Sequence, residues 1–314
     1  MSTTTATQTN SNCTQHDVLM STMTSRSIRS PYLRSFASFA NRSGANLWVI
    51  AVAVVMSIIG AMLTSSKVES AQHVIPNSMC IPGGGFAAMF HVLGQLTHVS
   101  RDQLLQQTNV CRSAGCLTLA ATLQGWTGDD MVRASIYIQE RVFTGEFTVY
   151  DYLSQMVNFI MEDIEKSDND DDDLPEWVSK MAILSTSSEQ SSPEYLHLFE
   201  SNTTSPDVLT ELLQRHAPTW ISSAWTSKAT ITTPKTRQEL RDRLMQSAWI
   251  PGLTGGGLHY KNHADGFFSL GSAPQCSSEV PYAFTWPMVR YAADHTFSEA
   301  TAYDLFEAGK KFGL

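Results

Sequence analysis

Hydrophobic positions are distributed along the chain in three regimes. Residues 1–44 have no periodic apolar face: they hold 17 Ser or Thr, the four arginines Arg26, Arg29, Arg34 and Arg42, and one acid, Asp17. No packed core can be built from that composition. Residues 45–63 (ANLWVIAVAVVMSIIGAML) form an uncharged apolar run weakened only by Asn46, Ser57 and Gly60. At 1.5 Å per residue these residues span about 28 Å, close to the ~30 Å of a bilayer core, and predict one transmembrane helix. A buried core helix and the apolar part of a cleaved targeting sequence are the alternative readings. Arginines before the span place the N-terminus on the cytoplasmic side and the large C-terminal part across the membrane; an organelle transit peptide would overturn that orientation. Residues 64–73 read as a linker, and residues 74–314 as one mixed α/β domain.

Within that domain, period and punctuation predict the elements. Phe86–Val99 reads as an apolar helix behind a glycine run, and Ser113–Leu123 as a second, closed by Gly125. Met131–Phe143, Val149–Glu165 and Pro206–Arg215 are further helical stretches. Lys180–Ser185 and Lys228–Thr232 have the short apolar look of buried strands. Thr236 and Glu239 make a capping box that opens a helix running to about Ser247, stopped by Trp249-Ile250-Pro251-Gly252. Asp168–Asp173 reads as a solvated loop; it lacks the mid-loop Gly and terminal Glu of a calcium site.

Composition narrows the classes of function. Twenty-one Lys and Arg against 30 Asp and Glu give a net charge of −9, with 16% charged and 42% hydrophobic residues. Disorder throughout and a polytopic membrane protein are excluded, and an acidic chain does not suit a nucleic-acid binder. The first 67 residues carry net +4, which leaves −13 for the rest. Attraction to anionic lipid should therefore contribute little at the domain itself, which favours neutral or zwitterionic partners. The five cysteines (Cys13, Cys80, Cys111, Cys116, Cys276) make no C-x-x-C pair, so a zinc ribbon is disfavoured; they look too few and too scattered for a disulfide framework.

Two turns rich in small residues carry the candidate chemistry. Gly83-Gly84-Gly85-Phe86 leads into an apolar helix, so its backbone N–H groups stand unobstructed and suit an anion or a developing oxyanion. A nucleotide phosphate loop would need Gly-Lys-Ser/Thr, and Phe86-Ala87-Ala88 follows instead. Cys111-Arg112-Ser113-Ala114-Gly115 has the layout of a nucleophile elbow, although an ordinary helix N-cap has the same local form. A base for Ser113 is offered by Asp265, followed by Gly266, and by His295. The order Ser113, Asp265, His295 is that of an α/β-hydrolase triad, but in those enzymes the oxyanion loop lies far before the nucleophile, whereas here one helix intervenes.

The combination resembles the patatin-like phospholipase family. GGGFAAMFHVLGQL is similar to its oxyanion block, CRSAGCLTLAATL to its G-x-S-x-G elbow, and the stretch from ATITTPK to HADGFFS to its block ending in Asp-Gly. DLFEAGKKFG is similar to a helix that often follows. The resemblance covers roughly Ile81 to Ser269. It implies a three-layer α/β/α sandwich with a mainly parallel central sheet, and a Ser113–Asp265 dyad without histidine. It also implies an oxyanion hole from Gly83, Gly84, Gly85 and Phe86, with Cys111, Gly115 and Gly266 as motif neighbours. The implied activity is hydrolysis of glycerolipid esters through an acyl-serine, on membrane or lipid-droplet substrate, with no cofactor and no metal. The chain departs from the family at Cys111 and Ala88, each in a glycine position, and at Phe267, where D-G-G ends in Gly. A non-catalytic lipid-binding relative is the alternative.

Other residues have bland readings. His259 and His263 could suggest a metal, but loop context disfavours it. His91 reads as a core histidine. Cys111 and Cys116 could sense redox state, with small buried packing favoured. Trp249 and Phe267-Phe268 suit an acyl pocket or the core equally. Asn202 opens a glycosylation sequon that matters only in a lumenal domain.

Overall fold

A computed structural model of the chain describes residues 74–165, 174–187, 229–250, 253–255, 259–266, 274–281, 291–292 and 295–312. The apolar run at 45–63, the helix expected at 206–215, the acidic run 168–173, Asn202 and Phe267-Phe268 lie outside these residues. Among the described residues no helix is long and apolar enough to cross a membrane.

The domain is α/β, with a mixed, mostly parallel sheet. Strands β1 (Val74–Ile81), β2 (Thr108–Arg112), β3 (Met181–Ser187), β4 (Ala229–Thr232), β5 (His263–Asp265) and β6 (Gln275–Glu279) give the order β4-β3-β2-β1-β6, with β5 paired to β3 off this path. Pairs β1–β2, β2–β3 and β1–β6 are parallel, while β4 and β5 run antiparallel to β3. Parallel neighbours require crossover connections, which the intervening helices supply. β3 is buried at nearly every position, as the unbroken apolar MAIL run demands of an interior strand.

The helices are α1 (Gly85–Leu96), α2 (Arg101–Leu105), α3 (Ala114–Gln124), α4 (Gly128–Phe143), α5 (Asp151–Glu165), α6 (Arg237–Ser247) and α7 (Glu299–Phe312). α1 is buried from Phe86 through Leu96, as expected of a helix apolar on all faces. α3 ends where Gly125 adopts φ 95°, the left-handed C-cap its sequence predicts. At the start of α6, Thr236 Oγ1 accepts from the Glu239 N–H at 3.0 Å, while the Glu239 carboxylate reaches one residue further back, to the N–H of Lys235 at 2.9 Å. α7 lies across α1 in backbone contact: a Cβ on Gly309 would fall 2.0 Å from the His91 carbonyl oxygen. The ring of Phe90 meets Phe297 edge-on in the same core.

The cysteines correct the sequence expectation. Cys80 of β1 is bonded to Cys276 of β6, with their Cα atoms 5.4 Å apart, and Cys111 to Cys116, with 4.9 Å. Spacing concealed both pairs: one spans 196 residues and is brought together by the adjacency of β1 and β6, the other spans a single turn.

Candidate active site

Register places the ends of β1 and β2 at one level beside β3. Ile81 pairs with Cys111, and Arg112 with Leu184, so β1 and β2 end within a residue of each other while β3 runs three residues further, to Ser187. In open α/β sheets the crevice outside the carboxyl ends of the strands is where ligands bind. There β1 runs into the glycine loop, β2 into Ser113, and β3 passes β5, which opposes Asp265 to Ser185.

Ser113 sits between β2 and α3 at φ 50°, ψ −140°. A non-glycine residue held there costs about 1–3 kcal/mol and persists only where surroundings over-determine it. Three features do so. The Cys111–Cys116 bond bridges the turn from the end of β2 to the first turn of α3. The Ser113 N–H donates to Ser247 Oγ at 2.9 Å. Gly115 lets the elbow press on the preceding loop, since a Cβ there would fall 2.2 Å from the Pro82 carbonyl oxygen. Cys111, the departure from the elbow glycine, is thus accommodated with its side chain spent on a crosslink.

The Ser113 hydroxyl donates to Asp265 Oδ2 at 2.6 Å across 152 residues of sequence. Both groups are buried, Ser113 at 4% and Asp265 at 0% exposure, so the pair is shielded from bulk water. The carboxylate is fixed through its backbone: its N–H donates to the Trp249 carbonyl at 2.9 Å, and its carbonyl accepts from Thr186 Oγ1 at 2.8 Å. Gly266 follows because nothing larger fits; a Cβ would fall 2.5 Å from the Leu184 carbonyl oxygen.

The glycine loop lies directly over Ser113. A Cβ on Gly83 would stand 2.4 Å from Ser113 Cβ and 3.1 Å from its Oγ. Gly84 and Gly85 turn at φ 153° and 69°, conformations that favour glycine, and α1 begins with no side-chain cap on its first N–H groups. Gly85 also abuts the Ala292 carbonyl. α3 likewise starts uncapped. Two helix N-termini thus converge beside Ser113 Oγ, a setting that favours negative charge. An apolar pocket opens from Ser113, lined by Phe86, Met89, Leu117, Leu153, Met156 and Ile250 among others.

His295 does not stand between Ser113 and Asp265, whose side chains bond each other directly. Its ring lies 6.0 Å from that of Phe86 and 6.1 Å from that of Tyr152. His263 Nδ1 is 3.0 Å from Ser185 Oγ, and burial lowers the pKa of His259, with a further lowering from His263. No group of three or more potential metal ligands occurs among the described residues. Trp249 packs on Gly255 and, at 5.3 Å between ring centroids, on Tyr260, outside the pocket lining. His91 is a core residue, 2% exposed, and its burial lowers its pKa.

Sequence reasoning missed Ser247, Trp249 and Thr186 as supports of the pair. A hydroxyl closing α6 just before Ala248-Trp249-Ile250-Pro251 is visible in the chain, but no spacing rule connects position 247 with 113. Against family models, curated proteins and solved structures, the chain finds no significant match.

Proposed function

We propose that the chain is a membrane-anchored lipid acyl hydrolase of patatin-like, three-layer α/β/α architecture. The observation that carries this reading is the direct, buried hydrogen bond from Ser113 Oγ to Asp265 Oδ2 beneath a glycine loop. Asp265 accepts the hydroxyl proton as Ser113 Oγ attacks the ester carbonyl, and the oxyanion develops toward the N–H groups of Gly83, Gly84, Gly85 and Phe86. Collapse breaks the ester bond, the leaving alcohol takes the proton from Asp265, and an acyl-serine remains. Water, deprotonated by the same carboxylate, adds to the acyl carbonyl, the bond to Ser113 Oγ breaks, Oγ takes the proton back from Asp265, and the acid leaves.

The apolar lining beside Ser113 supports an apolar group next to the reacting ester. The acidic balance of the domain supports neutral or zwitterionic glycerolipids, in a membrane or at a lipid droplet. Residues 45–63 would supply the membrane anchor. The two disulfides support a domain facing an oxidising compartment, in keeping with the orientation read from the arginines.

The test is labelling of the full-length chain by a fluorophosphonate, with hydrolysis of nitrophenyl esters and phospholipid. Wild type labels and hydrolyses, Ser113→Ala does neither, and Asp265→Asn loses about 10²–10⁴-fold in kcat. Full activity in Ser113→Ala would remove the nucleophile from the assignment. A wild type inert toward every ester would leave a lipid-binding protein.

A further inference from the structure

We infer that Ser247 is the positioning residue of the nucleophile, and that the segment Ser247 to Trp249 sets the spacing of the two reacting side chains. The inference rests on the hydrolase reading above. Ser247 is fully buried at the end of α6. Its hydroxyl donates to the Leu184 carbonyl at 2.6 Å and accepts the Ser113 N–H at 2.9 Å. It therefore ties the strained elbow to β3, the strand against which β5 lays Asp265. Two residues on, the Trp249 carbonyl holds the Asp265 N–H at 2.9 Å. One short segment thus grips the backbone of both members of the pair, and neither grip touches Ser113 Oγ or the carboxylate.

A consequence concerns charge stabilisation. The Ser113 N–H is committed to Ser247 and points away from any oxyanion role, which leaves that role to the glycine loop and the uncapped start of α3. The same hydroxyl stands 3.3 Å from Cys116 Sγ, so the disulfide across the elbow and the bond to Ser247 meet at one point. Without the Ser247 hydroxyl, the Ser113 N–H is buried with no acceptor. Relief of that N–H by a turn of the elbow carries Oγ away from Asp265.

The experiment compares Ser247→Ala, Ser247→Thr and Ser247→Val in the full-length chain. Thr and Val share a shape and differ in the hydroxyl. For each, kcat is measured per fluorophosphonate-titrated site, with KM for a nitrophenyl ester and the thermal midpoint. Ser247→Ala and Ser247→Val are expected to lose roughly 10- to 100-fold in kcat per titrated site and in labelling rate at little-changed KM, whereas Ser247→Thr recovers most of it. A merely structural role would lower the midpoint and the titratable fraction but leave kcat per site alone. Should Thr and Val both fail to fold, Ala decides: an unchanged kcat per site overturns the inference. Equal rates for folded Thr and Val variants overturn it as well. With wild type active, either result leaves the hydrolase reading standing; a wild type inert toward every ester and the probe overturns both.

Discussion

The two disulfides do different work, and stability and activity should separate them. In the chain-entropy account a crosslink stabilises by shortening the unfolded chain's freedom, as about 2.1 + 1.5R ln n cal/mol/K for a loop of n residues. For Cys80–Cys276, separated by 196 residues, this amounts to about 5 kcal/mol at 25 °C; for Cys111–Cys116, separated by 5, to about 2 kcal/mol. Native-state relaxation shrinks the smaller figure further, because opening the short loop lets Ser113 leave φ 50° and recover part of the ~1–3 kcal/mol held there. On the proposed hydrolase reading, that relaxation should lower kcat by roughly 5- to 100-fold, since each 1.4 kcal/mol is tenfold. The paired substitutions Cys80→Ala with Cys276→Ala, and Cys111→Ala with Cys116→Ala, are to be compared in the full-length chain in detergent. Denaturant unfolding is followed by tryptophan fluorescence, and kcat is measured per titrated site. The long-range pair should lower stability by several kcal/mol and leave kcat of the folded fraction near wild type. The elbow pair should do the reverse. Equal stability losses would refute the loop argument, and undiminished kcat without Cys111–Cys116 would refute its part in holding the elbow.

Three further outcomes follow from named contacts. Gly83→Ala drives a methyl group into Ser113 Cβ, with only 2.4 Å available, and should reduce fluorophosphonate labelling at least 100-fold while far-ultraviolet circular dichroism is retained. Gly309→Ala forces α7 from α1, because its Cβ would stand 2.0 Å from a backbone oxygen; the thermal midpoint should fall by an amount matching roughly 1–3 kcal/mol. His91 is held neutral by burial, its pKa lowered from 6.5. The unfolded chain therefore binds the extra proton first, and the stability present above about pH 6.5 is lost as pH falls, by at most about 1.4 kcal/mol per pH unit for this group. Denaturant midpoints between pH 7.5 and 5.5 should show a shallower slope in His91→Gln, and an unchanged slope would contradict the assignment. His259, lowered for the same reason, acts in the same direction.

What could be read from the chain was whatever is written locally. Helices α1, α3, α4, α5 and α6 announce themselves through apolar spacing, the Gly125 stop and the Thr236 cap, and each lies within a few residues of its expected bounds. The turn at Ser113 was legible because small residues stand at the turn and an apolar helix follows it at once. β5 is three residues long and β6 is mostly exposed, so neither has a period to read. α2 was overlooked although Ser100 and Gln103 form a complete capping box. Ser247, Thr186 and the Cys80–Cys276 pair act through contacts between distant segments that no local spacing encodes, and Cys111 and Cys116, though near in sequence, form no C-x-x-C pair.

The bond between Cys80 and Cys276 also sets a clock on biosynthesis. β1 opens the described domain, yet its outer neighbour β6 is among the last elements to be made. At about 5–20 residues per second, the 196 residues between the two cysteines take roughly 10–40 s to synthesise. Throughout that interval β1 has one free edge and Cys80 is an unpaired thiol. The sheet can close only after Cys276 has emerged, so any truncation before Cys276 leaves an open strand and a reactive sulfur.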